Sequence, residues 1–253
     1  MVNDIHVGST INLTDFSPIP FRLLIILNNS PRCMTKQGKT LQTIALLCHL
    51  KETNKDSAPC LVVAPLSVLQ SWRNEIARWA PSLRVLSLHA SSANEQHKMN
   101  HELSESADKY DVVVTTYDMV TAAELKAKLP RVYFRLVVLD EGHKIKNRAT
   151  IISQTVRKLH CENRLILTGT PLQNNLTELI SLLNFLVPDI FTNFDDFEHA
   201  FDITNSRINK EAMVQAEKVL DLFMLRRLKD HVEKLMPKKI ETKVRSRHCR
   251  FVL

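Results

Sequence analysis

The segment RLVVLDEGH (135–143) runs from an apolar core straight into Asp140-Glu141-Gly142-His143. A second run, RLIL (164–167), ends in Thr168-Gly169-Thr170-Pro171, with Thr168 lying 27 residues beyond Glu141. Two apolar strands, each carrying polar residues at its carboxyl end, are how an open parallel sheet builds a nucleotide site. An adjacent Asp-Glu pair at such an end suits metal-assisted phosphate chemistry. Asp140 can hold Mg²⁺ through water, and Glu141 can orient the water that attacks a γ-phosphate. In isolation the same pair also reads as a solvated acidic turn after a core strand.

Outward from this stretch, β-rich runs recur at 61–64, 84–88, 111–116, 135–140 and 164–168, and helical patterns fill most of the gaps. That alternation predicts a parallel sheet with helices on both faces. Leu69, Trp72, Ile76 and Trp79 share one face of a helix after Pro65, and Leu176, Leu179, Ile180 and Leu183 do the same after the Thr-Gly-Thr-Pro turn. Both stripes read as core and need no ligand. Gly38-Lys39-Thr40 opens a helix over 40–50. Amides at its N-terminus can bind phosphate, Lys39 adds a positive charge, and Thr40 offers a hydroxyl to Mg²⁺. A bare Gly-Lys-Thr also reads as the first turn of an ordinary exposed helix. FRLLIIL (21–27) can supply a first strand, and from Pro188 the pattern predicts Phe- and Asp-rich helices without a strand, a helical protrusion.

At 44% apolar and 24% charged, 253 residues can bury one large core or two small ones. Cys33, Cys48, Cys60, Cys161 and Cys249 are odd in number and form no CxxC pair. That argues for a reducing compartment and against a disulfide framework or a structural zinc site. No apolar run approaches the length of a membrane span, so no membrane partner is expected. The net charge of +7 is lopsided: from Leu222 onward there are 10 basic and 3 acidic residues, and the first 221 residues balance at 24 of each. A basic end is either a solvated tail or a contact to a phosphate backbone. The terminal RSRHCR (245–250) is read as tail.

The order and spacing of GKTLQTIALL (38–47), LVVAPLSVLQSWRNEIARW (61–79), VVVTTYDMV (112–120), LDEGHKIKN (139–147), LTGTPLQNNLTELISLLNFLVPDIF (167–191) and LFMLRRLKDHVEKLMPKK (222–239) carry a resemblance. Over roughly residues 38 to 240 the chain resembles the first, RecA-like motor lobe of Swi/Snf-type chromatin-remodelling ATPases. VEKLMPKK (232–239) and FDDFEHAFD (194–202) resemble the imitation-switch branch, and FDIT (201–204) also fits the lymphoid-specific helicase branch. The resemblance implies a RecA-like, doubly wound α/β lobe over 38–187, a helical protrusion and brace-like segment over 188–240, and a basic tail over 241–253. It implies ATP and Mg²⁺ as cofactors: Gly38, Lys39 and Thr40 at the phosphates, Thr40 and Asp140 at the metal, Asp140 and Glu141 in catalysis. His143, Thr168, Thr170 and Gln173 become a hydrogen-bonded link between nucleotide and the rest of the motor. A duplex track is implied along Pro65-Leu66-Ser67, Thr115-Thr116-Tyr117 and Lys144-Ile145-Lys146-Asn147, with Arg226, Arg227 and Lys229 adding phosphate contacts. Helix caps explain Ser67 and Thr116 equally well, and Lys144 and Lys146 also read as solvated. The partners implied are DNA or nucleosomes, held through the backbone and without base readout, together with a second helicase lobe or remodeller subunits. The location implied is the nucleus.

Residues 1–37 depart from that pattern. The family's acidic-acidic-Met-Gly-Leu-Gly-Lys-Thr stands here as Cys33-Met34-Thr35-Lys36-Gln37-Gly38-Lys39-Thr40, with Lys36 in place of a glycine. If the backbone there has positive φ or approaches phosphate closely, a side chain costs ~1–2 kcal/mol. The family's adenine-reading segment is not visible in residues 1–32, so 1–37 reads as foreign sequence joined to a motor lobe, as in a splicing or gene-model artefact. After Pro237-Lys238-Lys239 only fourteen residues follow, too few for a second lobe with its γ-phosphate arginines. Three functions therefore stand: an ATP-binding motor lobe impaired as an isolated chain, a non-catalytic DNA- or protein-binding fragment, and a DEAH-type RNA helicase lobe. LTGTPLQNN (167–175) favours the remodellers over the last, and Ile180, where the family usually has Trp, is expected to be a packing adjustment.

Overall fold

The computed structural model describes residues 23–29, 39–53, 58–89, 93–168, 176–188 and 224–228. The strands are β1 (Leu23–Asn29), β2 (Cys60–Ala64), β3 (Val85–Leu88), β4 (Val112–Thr116), β5 (Tyr133–Asp140), β6 (His160–Thr168) and β7 (Met224–Leu228). The helices are α1 (Lys39–Thr53), α2 (Leu66–Trp79), α3 (Ala93–Ser106), α4 (Tyr117–Thr121), α5 (Ala123–Lys128), α6 (Ile151–Arg157) and α7 (Leu176–Leu186). All pairings are parallel, in the order β3-β4-β2-β5-β6-β1-β7.

Buried strands of a parallel sheet need apolar side chains on both faces, and CLVVA and VVVTT are buried at every position. Because side chains alternate, one strand feeds two cores. Cys60, Val62, Ala64, Val112, Val114, Leu136, Val138, Leu165 and Leu167 pack with Ile44, Leu47 and Leu50 of α1 and Leu69, Trp72 and Ile76 of α2. Leu61, Val63, Val113, Val137, Leu139 and Ile166 face the other way, against Leu103 of α3, Val120 of α4, Leu125 of α5, Val156 of α6 and Phe185 of α7. Helices thus cover both faces, as the alternation predicts.

The outcome differs from expectation in two places. Trp79 is 51% exposed and not part of the α2 core stripe. Buried Ala80 and Leu83 fill that end of the core. The Trp79 ring instead sits 4.9 Å from the Arg78 guanidinium, and its N–H donates to Glu75 Oε2 at 2.9 Å. The stretch after Pro188 is also not free of strands: β7 lies beside β1, pairing Leu27 with Arg226 and Asn28 with Arg227. MLRRL carries two arginines among its apolar residues, a weak strand signal, and its one partner among the described residues is β1. Of the protrusion and brace-like segment expected over 188–240, residues 189–223 and 229–240 lie outside the described residues.

At the amino ends of the strands, Asp111 gathers three elements. Its carboxylate accepts from Lys51 Nζ at 2.8 Å, the Arg84 amide at 2.7 Å and Arg84 Nη2 at 3.1 Å. Burial pushes the carboxyl up, but the Arg84 and Lys51 hydrogen bonds outweigh it and hold the group at about 2. A carboxyl held lower in the folded chain than in the unfolded one stabilises above the unfolded value and loses that contribution as pH falls. Replacing Asp111 by Asn is therefore expected to lower the melting temperature at pH 7 by about 3–6 °C, taking about 1–2 kcal/mol for a partly exposed charged network. Thermal melts from pH 7 down to pH 2 should show the two proteins converging through the acid range. A difference that stays constant across that range counts against the argument.

Candidate nucleotide and duplex site

Parallel strands place their carboxyl ends on one edge, and register shows which residues gather there. Ala64 pairs with Thr116, Val63 with Leu139, Asp140 with Leu167, and Leu27 with Thr168. The ends of β4, β2, β5 and β6 thus form a continuous rim, as ligand sites in open α/β sheets require.

Asp140 is the centre of that rim. Its Oδ2 accepts from the Trp72 indole N–H at 2.8 Å, and its Oδ1 accepts from the Glu141 amide at 3.0 Å. The Tyr117 hydroxyl donates to the Asp140 carbonyl at 2.8 Å. Burial raises the Asp140 carboxyl above its ordinary value and the neighbouring Glu141 charge adds to this, while the Trp72 N–H, the Lys39 ammonium and the Glu141 amide pull it back. Lys39, in the first turn of α1, thus lies within electrostatic reach of Asp140. Burial, then the charges of Asp140 and Glu141, hold the Tyr117 hydroxyl well above its ordinary range.

The turn after β5 is tight. Glu141 adopts φ 57° and ψ 53°, the one positive φ on a residue other than glycine among the described residues. Such backbone costs of order 1–2 kcal/mol and concentrates where a site dictates the chain path. A 3₁₀ turn, Gly142–Ile145, follows. A methyl at Gly142 would stand 2.1 Å from Ile166 Cγ2, so the absence of a side chain is what lets β6 pack under this turn. His143 Nδ1 lies 3.2 Å from Glu141 Oε2, an ion-pair distance when the imidazole is protonated, but makes no hydrogen bond of good geometry.

A buried polar network ties the same turn to α7. The Ile145 carbonyl accepts from Ser153 Oγ at 3.3 Å and from Ser181 Oγ at 3.1 Å. Arg157 of α6 donates to Ser153 Oγ at 3.2 Å and to the Ser181 carbonyl at 2.7 Å, and also bonds Asn184 Oδ1. Burial first, then the charges of Arg148 and Arg164, lower the Arg157 guanidinium to about 10.

The sequence-predicted residues separate into groups. Lys39, Thr40, Asp140, Glu141, His143 and Thr168 belong to α1 and the rim, Thr168 being 2% exposed. Pro65 is half-buried at the start of α2, where Ser67 is exposed and Pro65 provides no side-chain cap. Lys144 and Lys146 are exposed on the turn. The Thr115-Thr116-Tyr117 segment is a correction, because its side chains point inward. Thr115 donates to the Leu88 carbonyl at 3.0 Å, and Tyr117 is spent on Asp140. Thr116 is 2% exposed, and its hydroxyl caps α4 by accepting from the Met119 amide at 3.3 Å. A capping threonine withdrawn from the surface presents no hydroxyl to a duplex, so the cap reading of Thr116 is the one the structure supports. Gly38, Thr170, Gln173 and Lys36 lie outside the described residues; Arg226 and Arg227 are described only as backbone of β7. The bonding of Trp72, Tyr117, Ser153, Arg157 and Ser181 around this turn escapes sequence reasoning; a tryptophan in a core stripe, whose N–H needs an acceptor, is the one available signal.

No group of three or more His, Cys, Asp or Glu able to hold a metal occurs among the described residues. One carboxylate within electrostatic reach of the start of α1 suits Mg²⁺, which is commonly held by one or two carboxylates plus substrate phosphates. The described cysteines Cys48, Cys60 and Cys161 are free thiols, and no helix among the described residues is long and apolar enough to cross a membrane.

Comparison with known proteins places this geometry. The family model of the SNF2-related domain matches residues 36–250. The chain is 44% identical over 207 residues to the human "SWI/SNF-related matrix-associated actin-dependent regulator of chromatin subfamily A member 1", covering 82% of this chain and 20% of that protein. It is 42% identical over 208 residues to the "ISWI chromatin-remodeling complex ATPase ISW2" of Saccharomyces cerevisiae, covering 82% of this chain and 18% of that protein. The chain thus spans about a fifth of the length of these relatives. Among solved structures, the "Sulfolobus solfataricus SWI2/SNF2 ATPase core in complex with dsDNA" superposes with a TM-score of 0.69 at 31% identity, over 82% of this chain and 40% of that one.

The Gly142–Ile166 contact yields a double-mutant test. Gly142→Ala is expected to destabilise by about 1–3 kcal/mol, the usual cost of overpacking a filled core. Adding Ile166→Leu, which moves the branch away from Cβ, should recover at least half of that loss in thermal melts. Additive effects of the two substitutions would show that this contact is not what fixes glycine here.

Proposed function

This chain belongs to the SNF2-related domain family, and on that premise we propose that it is the ATP-binding lobe of a DNA-dependent chromatin-remodelling motor. The observation that carries the reading is the buried Asp140 carboxyl at the end of β5, on which the charge of Lys39 at the start of α1 acts. Gly38, Lys39 and Thr40 would bind the phosphates through amides, charge and hydroxyl. Thr40 and Asp140 would hold Mg²⁺, which when bound neutralises charge developing on the phosphates. Glu141, half-exposed on its left-handed turn, would orient the attacking water.

His143, Thr168, Thr170 and Gln173 would couple this site to the rest of the motor. Pro65, Ser67, Lys144 and Lys146 would meet the duplex backbone, with Arg226 and Arg227 further along. In that role they bind phosphate without reading sequence. Nucleosomes as substrate, a second helicase lobe, remodeller subunits as partners and a nuclear location are part of the same proposal. In this reading the γ-phosphate arginines belong to a second lobe, so turnover by this stretch alone is expected to be slow. The yeast relative is named as a chromatin-remodelling complex ATPase and the human one as a regulator of chromatin, which favours this reading over an RNA helicase. Lys36, standing where the resemblance has glycine, is the feature that supports weak nucleotide binding and hence a non-catalytic role.

Titration with a fluorescent ATP analogue and Mg²⁺ tests the proposal. Micromolar binding, weakened at least tenfold by Lys39→Ala, is the expected result. Lys36→Gly should tighten it about 5–30-fold if relief of ~1–2 kcal/mol is realised. Absence of binding in both the native chain and Lys36→Gly would remove the ATP-binding reading. For duplex DNA, affinity should fall steeply as salt rises and vary little with base sequence; replacing Lys144 and Lys146 by Ala should weaken it and flatten the salt dependence.

A further inference from the structure

Trp72 lies in α2, 68 residues before the carboxylate it touches. Its side chain is 1% exposed, packed among Val62, Leu69 and Val138 in the core under α1 and α2. A buried indole N–H needs an acceptor, and any carbonyl would satisfy it. Here the acceptor is Oδ2 of the one aspartate at the end of β5, at 2.8 Å. On the main-chain side, the buried Tyr117 hydroxyl donates to the carbonyl of the same residue at 2.8 Å. Asp140 is therefore gripped from both faces of the sheet, its side chain by α2 and its backbone by α4. The carboxylate's second oxygen takes the Glu141 amide, which leaves its rotation fixed by Trp72 alone among side chains of the described residues.

We propose that Trp72 is a positioning residue for the nucleotide site, its indole N–H fixing the orientation in which the Asp140 carboxylate is presented at the rim. This rests on the ATP-binding reading above. Ligand-orienting hydrogen bonds one shell out from a metal change its affinity about 10–100-fold when removed. A tryptophan that served only to fill the core would leave that affinity unchanged.

The chain offers its own control, because it holds two tryptophans, Trp72 and Trp79. The Trp79 N–H is engaged on the surface by Glu75. In a ¹⁵N-labelled protein the two indole resonances are assigned with Trp79→Phe. Without nucleotide, Asp140→Asn should move the Trp72 resonance and leave that of Trp79 in place. Adding MgCl₂ and a non-hydrolysable ATP analogue to the native chain should move the Trp72 resonance again. Trp72→Phe should raise the Mg²⁺ concentration for half-maximal analogue binding at least about tenfold. If Trp72→Phe does not fold, the two spectra decide. A Trp72 resonance indifferent to Asp140→Asn, or to Mg²⁺ and analogue that demonstrably bind, overturns the proposal. A native chain that binds no analogue at all fails the ATP reading, and the Asp140→Asn spectrum still decides whether the indole holds the carboxylate.

Discussion

A carboxylate must be kept at a place where burial makes its charge expensive. Asp140 closes the central strand β5, between β2 and β6, and burial raises its carboxyl. An ionised group in such surroundings persists only when donors and opposite charge reach it. One donor is local, the amide of the following residue, but the indole of α2 and the charge of Lys39 from α1 come from distant parts of the chain. Neither distant partner is in place until the sheet has assembled and α1 and α2 have packed on one face. The site is therefore a product of the tertiary structure, although its key residues are adjacent in sequence.

The turn beyond Asp140 extends the same dependence. Glu141 holds a left-handed conformation, and Gly142 sits where any side chain meets Ile166. From there the Ile145 carbonyl is held by two serines and, through them, by Arg157. The guanidinium meets neutral oxygens of Ser153, Ser181 and Asn184, which explains why burial and its arginine neighbours lower its proton affinity. A polar network inside a core rigidifies when its members are satisfied, and this one bonds α6 and α7 to the turn that follows Asp140.

Much of this was legible in the sequence. The apolar runs located β2 to β6 within a few residues, because strands buried on both faces cannot hide their composition. Leu69, Trp72 and Ile76 were rightly placed in a core. Trp79 continued the same helical spacing, but spacing reports direction around a helix and not how far the sheet extends beneath it. The arginines of β7 masked a strand whose partner, β1, lies almost two hundred residues earlier. The family resemblance implied duplex contacts at Thr115 and Thr116, yet an interior carbonyl and a helix amide use their hydroxyls. The grip of Trp72 and Tyr117 on Asp140 was invisible because no local pattern encodes a bond between residues this far apart.

The alternation of side chains along the strands has a consequence for how the chain tolerates change. Val62 and Val63 are neighbours in sequence and equally buried, but they belong to different cores that share backbone and little else. Substitutions at even-numbered positions of β2 are felt by α1 and α2, the helices that carry Lys39 and Trp72. Those at odd-numbered positions are felt by the helices opposite, including α6 and α7. Variation in this lobe should therefore sort by parity: within one face, substitutions compensate each other, while across faces they accumulate independently. An evolving sequence could then retune the serine network beyond the acidic turn and the bed of α1 as two separate traits.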